Sequence, residues 1–200
     1  MLRFYDSPAS GNCYKVRLLL NQLEIPYERV IINSRAGETR TPEFLAKNPF
    51  GQVPLLELDS GETLSESAAI LLYLAEGTAL AGSNRIERGL VAQWLFVEQF
   101  RLFPQLGLTR FWIRSGQSEE YAHEIRVNRE AGAKTLEIID QQLGQSPFLA
   151  GKNYTIADIA TYAYSRVGDE AGFDLSLYPH LQSWFERMAA QPRYSAPETA

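Results

Sequence analysis

Along residues 13–23 the apolar positions Cys13, Val16, Leu19, Leu20 and Leu23 recur at spacings of three and four, which predicts a helix with one buried face. Lys15, Arg17 and Asn21 are then left for water. Residues 2–6 form a short apolar and aromatic run closed by Ser7-Pro8, the pattern of a strand entering a turn. After Ile25-Pro26, the β-branched and aromatic run 27–32 predicts a second strand, parallel to the first through a right-handed crossover. Thr41-Pro42-Glu43 has an N-cap residue followed by proline at the first helical position, so a helix starts there and ends before Asn48-Pro49-Phe50-Gly51. The apolar runs 53–58 and 62–64 flank Asp59-Ser60-Gly61 and predict a hairpin. Ser65 then caps a helix over residues 66–76. The predicted order is βαβαββα.

Residues 77–84 carry Gly77, Gly82, Ser83 and Asn84 between helical patterns, the composition of a linker. Beyond it the period is helical over 85–114, 119–143, 155–170 and 179–190, with no alternating strand. An α/β half followed by a helices-only half predicts segregated layers, an α/β domain over 1–77 and an all-α domain over 84–200. Thr155 and Asp158 have the spacing of a capping box and are assigned a structural role.

The chain has 200 residues, 45% hydrophobic and 22% charged, the balance of a globular protein with a sizeable core. A net charge of −5 without a basic run argues against nucleic acid as a partner. No apolar stretch approaches the roughly 20 residues that span a bilayer, and the N-terminal residues lack the pattern of a secretory leader, so a cytoplasmic location is expected. The single cysteine, Cys13, excludes an intrachain disulfide and a Cys-x-x-Cys dithiol. His123 and His180 lack acidic or thiol neighbours at metal spacing, so no metal site is expected.

Four segments, in order and in register, strongly resemble the cytosolic glutathione transferases. They are the run from Pro8 through Ser10, Gly11 and Asn12 to Cys13, the loop Asn48-Pro49-Phe50-Gly51-Gln52-Val53-Pro54, the run Leu64-Ser65-Glu66-Ser67-Ala68-Ala69-Ile70, and Thr155-Ile156-Ala157-Asp158. The Ser10 and Asn12 pairing is similar to the Ser-type and bacterial Thr/Asn-type members. The resemblance covers essentially the whole chain and implies a thioredoxin-like N-terminal domain, an all-helical C-terminal domain, glutathione as co-substrate and a homodimer, with Phe50 and the 85–114 helix as candidate contacts.

For the site, the resemblance implies that Ser10 donates a hydrogen bond to the glutathione sulfur and that Asn12 offers a second donor or locks the loop. A cis Val53-Pro54 bond would expose the Val53 backbone to the ligand, Ser67 would bind the γ-glutamyl carboxylate, Glu66 would orient the amino group, and Gln52 would add an amide. Arg40 matches a position where members often place a cation, while Thr39 stands where some have His. Phe103, Leu106, Phe111, Trp112 and Arg114 match the region that lines the electrophile pocket. Each has a plainer reading. Ser10 is also a good N-cap, Glu66 completes a capping pattern with Thr63, Arg40 suits solvent, and aromatic residues at helical spacing suit a core.

Cys13 competes with Ser10 as the reactive centre, because Ser10-Gly11-Asn12-Cys13 has the spacing of a redox motif at a helix N-terminus. It also fits as a small buried residue on the apolar face. Three functions follow: thiolate attack by glutathione on a small hydrophobic electrophile, a glutathione-dependent disulfide reductase or peroxidase, and a non-catalytic protein that keeps the fold.

Overall fold

The computed structural model describes residues 1–198. They fall into two compact units, Met1–Glu76 together with the chain's end from Pro192, and Gly77–Gln191. The first unit holds β1 (Leu2–Asp6), α1 (Gly11–Gln22), β2 (Tyr27–Ile31), α2 (Pro42–Lys47), β3 (Leu55–Glu57), β4 (Thr63–Ser65) and α3 (Ser67–Ala75). Its sheet has the order β2-β1-β3-β4, with β1 parallel to β2 and antiparallel to β3, and β3 antiparallel to β4. The crossover through α1 makes the first pair parallel, and the tight hairpin makes the last pair antiparallel. The element order along the chain, βαβαββα, is the one that the sequence predicts, and the fold is thioredoxin-like.

Successive strand residues face opposite sides of the sheet. Tyr5 and Leu55, paired in register, join Phe44 of α2 in one cluster with Val30, Ile32 and Val53 around it. Phe4 and Leu56, one step along, are fully buried on the other side. The helices α1 and α3 pack against each other and bury Cys13, Val16, Leu20, Ile70 and Leu74.

The helical spacing places Lys15 and Arg17 toward solvent, whereas the structure buries both. Arg17 Nη1 donates to the buried Asp6 Oδ2 at 2.5 Å, and Arg29 Nε reaches the same oxygen at 2.6 Å. Lys15 Nζ donates to Asn12 Oδ1 at 2.7 Å. An apolar-face count cannot anticipate these contacts, because one partner comes from the end of β1 and the other from the polar first turn of α1 itself.

The chain's end is a second correction. Residues 192–198 were expected in the helical domain, yet they lie on the first unit. Tyr14 Oη donates to the Ser195 carbonyl at 2.9 Å, Arg193 pairs with Glu24 at 2.6 Å, and Arg29 pairs with Glu198 at 2.9 Å. The Arg29 guanidinium holds the Glu198 carboxyl below the usual range.

The second unit contains α4 (Arg85–Val97), a π-helical stretch Glu98–Leu108, α5 (Thr109–Arg114), α6 (Ala122–Gln145), α7 (Ile156–Ser165) and α8 (Pro179–Ala189). A single helix was expected over 85–114. The wider π turns fall where Pro104 lacks the N–H that an α-helix interior requires. The helix expected over 155–170 stops at Ser165, and Gly168–Ala171 tightens into a 3-10 turn ending at Gly172, which has φ +88°.

Every residue of α7 is buried. The capping box between Thr155 and Asp158 is formed, and Asp158 does more than cap. Its Oδ2 accepts Thr155 N–H at 3.0 Å, while Oδ1 accepts Leu149 N–H at 3.0 Å and Trp184 Nε1–H at 3.1 Å. One carboxylate therefore ties a loop and α8 to the start of α7. No helix among the described residues is long and apolar enough to cross a membrane.

Candidate functional site

Two helix N-termini and one loop build a cleft in the first unit. It is lined by Asn12 at the start of α1, by Asn48, Phe50, Gln52, Val53 and Pro54 of the loop before β3, and by Ser65, Glu66 and Ser67 where β4 passes into α3. Of the predicted glutathione-binding residues, the structure brings together Gln52, Val53, Pro54, Glu66 and Ser67, with Asn12 facing the same space.

The α3 end has the features of an anion site. Its first intrahelical bond is Ile70 N–H to Glu66 O at 3.0 Å, and no side chain caps it. The earlier N–H groups therefore have no backbone acceptor, at the positive end of the helix dipole. The sequence reading had Ser65 cap a helix beginning at Glu66. Instead Ser65 closes β4, and Glu66 takes φ +68° and ψ 115°, outside the helical region. That conformation is costly for a side-chain-bearing residue and recurs at ligand sites. It turns the chain so that Ser67, only 3% exposed, opens the helix.

On the opposite wall Val53–Pro54 is cis. The β3 ladder starts at Leu55, so the Val53 N–H and C=O lie outside it. Asn48 holds the loop together: its Nδ2 donates to the Gln52 carbonyl at 2.7 Å, and its Oδ1 accepts Phe50 N–H at 3.2 Å. Gly51 sits between them at φ +62°, where an added Cβ would meet the Arg40 guanidinium and the Thr39 carbonyl.

At α1 the Asn12 carboxamide oxygen accepts Lys15 Nζ at 2.7 Å and Ser67 Oγ at 3.4 Å. Its Nδ2 donates to no atom of the described residues, which leaves it for a ligand. Ser10 is the N-cap of α1, its Oγ accepting Cys13 N–H at 3.3 Å. A hydroxyl has one donor and two acceptor sites, so capping occupies one acceptor site only. Ser10 is half-buried and is not among the residues lining the cleft.

Arg40 also stands off the lining. It is exposed and donates to the Phe50 carbonyl at 3.4 Å, bracing the loop from outside. Cys13 is wholly buried, with its sulfur accepting Ser7 N–H at 3.4 Å. Burial, reinforced by the Asp6 carboxylate, pushes its thiol up to about 12, so it is not a nucleophile near neutral pH.

The residues expected to line an electrophile pocket lie in the second unit, and their surroundings there differ. Leu106 is 1% exposed and packs beside Gly132 and Gly168, which makes it core and corrects that expectation. Phe103 packs on the Tyr164 ring, Trp112 stacks on Tyr121 at 4.6 Å, and Arg114 pairs with Glu170 at 3.2 Å. Phe111 is exposed. Asn48, Phe50 and Ser65 were not assigned to the site, although all three lie inside motifs the sequence displays. Lys15 was missed for a different reason, since only the fold shows that a lysine one helical turn from Asn12 is buried against it. No group of three His, Cys, Asp or Glu that could hold a metal occurs among the described residues.

Residues 9–77 match the family model of the glutathione S-transferase N-terminal domain, and residues 101–192 that of the C-terminal domain. The chain is 35% identical to the Escherichia coli disulfide-bond oxidoreductase YfcG, over 96% of this chain and 92% of that protein. A Pseudomonas fluorescens glutathione S-transferase structure superposes with a TM-score of 0.94 at 43% identity, covering 98% of each chain. A Burkholderia graminis glutathione transferase, solved with two glutathione molecules per subunit, superposes at 0.83 with 26% identity, over 96% of this chain and 85% of that one. With both of its units matched and full-length relatives at this identity, the chain belongs to the glutathione transferase family.

Proposed function

We propose that the protein binds glutathione in the cleft of its first unit and stabilises its thiolate for attack on a small hydrophobic electrophile. The observation that carries this reading is the unused Asn12 Nδ2 donor facing the same cleft as the uncapped start of α3. The α3 N–H groups and Ser67 suit the γ-glutamyl carboxylate, and Glu66 suits the neighbouring amino group. The Val53 backbone suits an extended peptide, by the same hydrogen bonds that extend a sheet. The sulfur is then served by the Asn12 amide, the Ser10 hydroxyl and the positive end of α1.

A free thiol has a pKa of about 8.5, and each unit of lowering corresponds to about 1.4 kcal/mol of preference for the thiolate. The test is the thiolate absorbance of bound glutathione against pH. A midpoint at least one unit below free glutathione, raised in Asn12→Ala, is expected. A midpoint no lower than that of free glutathione overturns the reading.

Disulfide reduction is a second reading, favoured by the relationship to a disulfide-bond oxidoreductase. The buried Cys13 directs it to glutathione's own sulfur. One glutathione thiolate attacks R–S–S–R, forming a mixed disulfide and expelling RS⁻, which takes up a proton. A second glutathione thiolate attacks that mixed disulfide and releases the other thiol with oxidised glutathione. Assays with mixed disulfides, peroxides and alkylating electrophiles separate the activities. We also infer a homodimer, supported by exposed Phe50 and by exposed Phe96 and Phe100, whose rings stack at 6.3 Å.

A further inference from the structure

The two ends of an asparagine side chain are nearly the same size but opposite in chemistry, so a thiolate beside Asn12 is stabilised by the NH2 end and repelled by the oxygen. Something must choose between the two orientations. Lys15 lies one turn along α1 from Asn12, on the same face. It is wholly buried, and its Nζ sits 2.7 Å from Asn12 Oδ1. An ammonium carries three donors and no acceptor. Only the oxygen of the amide can face it.

We propose that Lys15 is a positioning residue for the glutathione thiolate: it pins the Asn12 carboxamide with its oxygen inward, so that Nδ2 is the atom offered to the sulfur. Ser67 Oγ, 3.4 Å from the same oxygen, adds a second donor from α3 and links the thiolate end of the cleft to its carboxylate end. The contact also polarises the amide. A cation on the carbonyl oxygen draws charge from the NH2 group, and hydrogen bonds in a chain strengthen one another where water is excluded. Burying a lysine is costly, and an apolar residue would fill this position of α1 more cheaply. Lys15 makes a further interaction besides this one, so its removal has to be judged on a readout specific to the sulfur.

This inference rests on the proposed glutathione reading, and the experiment separates the two. The pH midpoint of bound-glutathione thiolate absorbance is measured in the wild type, Lys15→Met and Lys15→Arg. Affinity for S-methylglutathione, which has no ionisable thiol, reports whether the cleft is intact. The expected result is a midpoint raised by about one unit in Lys15→Met, a largely retained midpoint in Lys15→Arg, and S-methylglutathione affinity within about twofold of the wild type. A wild type with no lowered midpoint overturns the glutathione reading, and the role of Lys15 with it. A lowered wild-type midpoint that Lys15→Met leaves in place, with S-methylglutathione still bound, overturns the Lys15 inference alone. Should Lys15→Met fail to fold, the wild type decides through the side-chain amide resonance of Asn12 in the glutathione complex. A shift following the thiolate midpoint is expected, and a pH-invariant resonance overturns the proposal.

Discussion

The Cys13 sulfur accepts the Ser7 amide proton at 3.4 Å from inside the core, facing away from the chemistry that its position after Ser10 suggests. Cys13 closes the loop between β1 and α1 and shapes the turn that presents Ser10 and Asn12. Its thiol, held up to about 12 by burial, has almost no thiolate at neutral pH. Alkylating reagents are therefore expected to leave the folded protein unmodified. Cys13→Ala should keep glutathione-dependent activity while losing about 1–2 kcal/mol of stability to the small void. Mass spectrometry after iodoacetamide treatment, with activity assays of the variant, checks both statements.

Glu66 trades backbone ease for position. Its φ of +68° costs on the order of 1–3 kcal/mol in a residue with a Cβ. Glu66→Gly should accordingly raise the unfolding midpoint, while weakening glutathione binding through loss of the carboxylate. Thermal unfolding and glutathione titration of the same variant are expected to move in opposite directions. A variant that gains neither stability nor KM contradicts this account of the bend.

Asn48 serves the site through the loop that it ties. Asn48→Ala removes the donor to Gln52 and the acceptor for Phe50, at a cost of about 1–2 kcal/mol. The loop presenting Val53 then loosens, so KM for glutathione should rise several-fold with kcat little changed, since Asn48 has no part at the sulfur. Asn48→Asp keeps the acceptor but turns a carboxylate toward the Gln52 carbonyl, and should bind glutathione no better than the alanine variant. Steady-state kinetics of the pair check this.

Asp158 holds the second unit together with acceptors alone. In Asp158→Asn an NH2 group must confront either Thr155 or the Leu149 and Trp184 donors, for a loss of about 2–3 kcal/mol despite the matched shape. Burial raises the carboxyl to about 6, with the hydrogen bonds from Leu149, Thr155 and Trp184 opposing the rise. The unfolded chain titrates near 3.9, so the folded state holds the proton more tightly between the two values. The stability linked to this proton is complete below about pH 4 and is lost as the pH rises through about 6. Denaturant unfolding should show the gap between wild type and Asp158→Asn narrowing across that window.

Much of the first unit is legible because its signals are local. Thr41-Pro42 starts α2, the apolar spacing marks α1, and Asp59-Ser60-Gly61 turns the hairpin. The site loop was equally visible, since Gln52, Val53 and Pro54 sit in one short motif. The misread features depend on side-chain contacts that the fold decides or on backbone torsions. Glu66 resembles an ordinary first-turn acid until its φ is known. Lys15 and Arg17 read as solvent-facing until Asn12 and Asp6 are placed against them. Leu106 lies at a position suggestive of a pocket, yet the close approach of Gly132 and Gly168 draws it into the core.

The return of residues 192–198 to the first unit makes Gly77–Gln191 an insertion in topological terms, with covalent joints at both of its ends. Cleaving the chain after residue 76 would thus yield a fragment without Ser195 for the Tyr14 hydroxyl and without Glu198 for Arg29, leaving two guanidinium groups to share the single Asp6 carboxylate. An autonomous version of the first unit needs residues 1–76 joined by a linker to the C-terminal peptide, or that peptide supplied in trans.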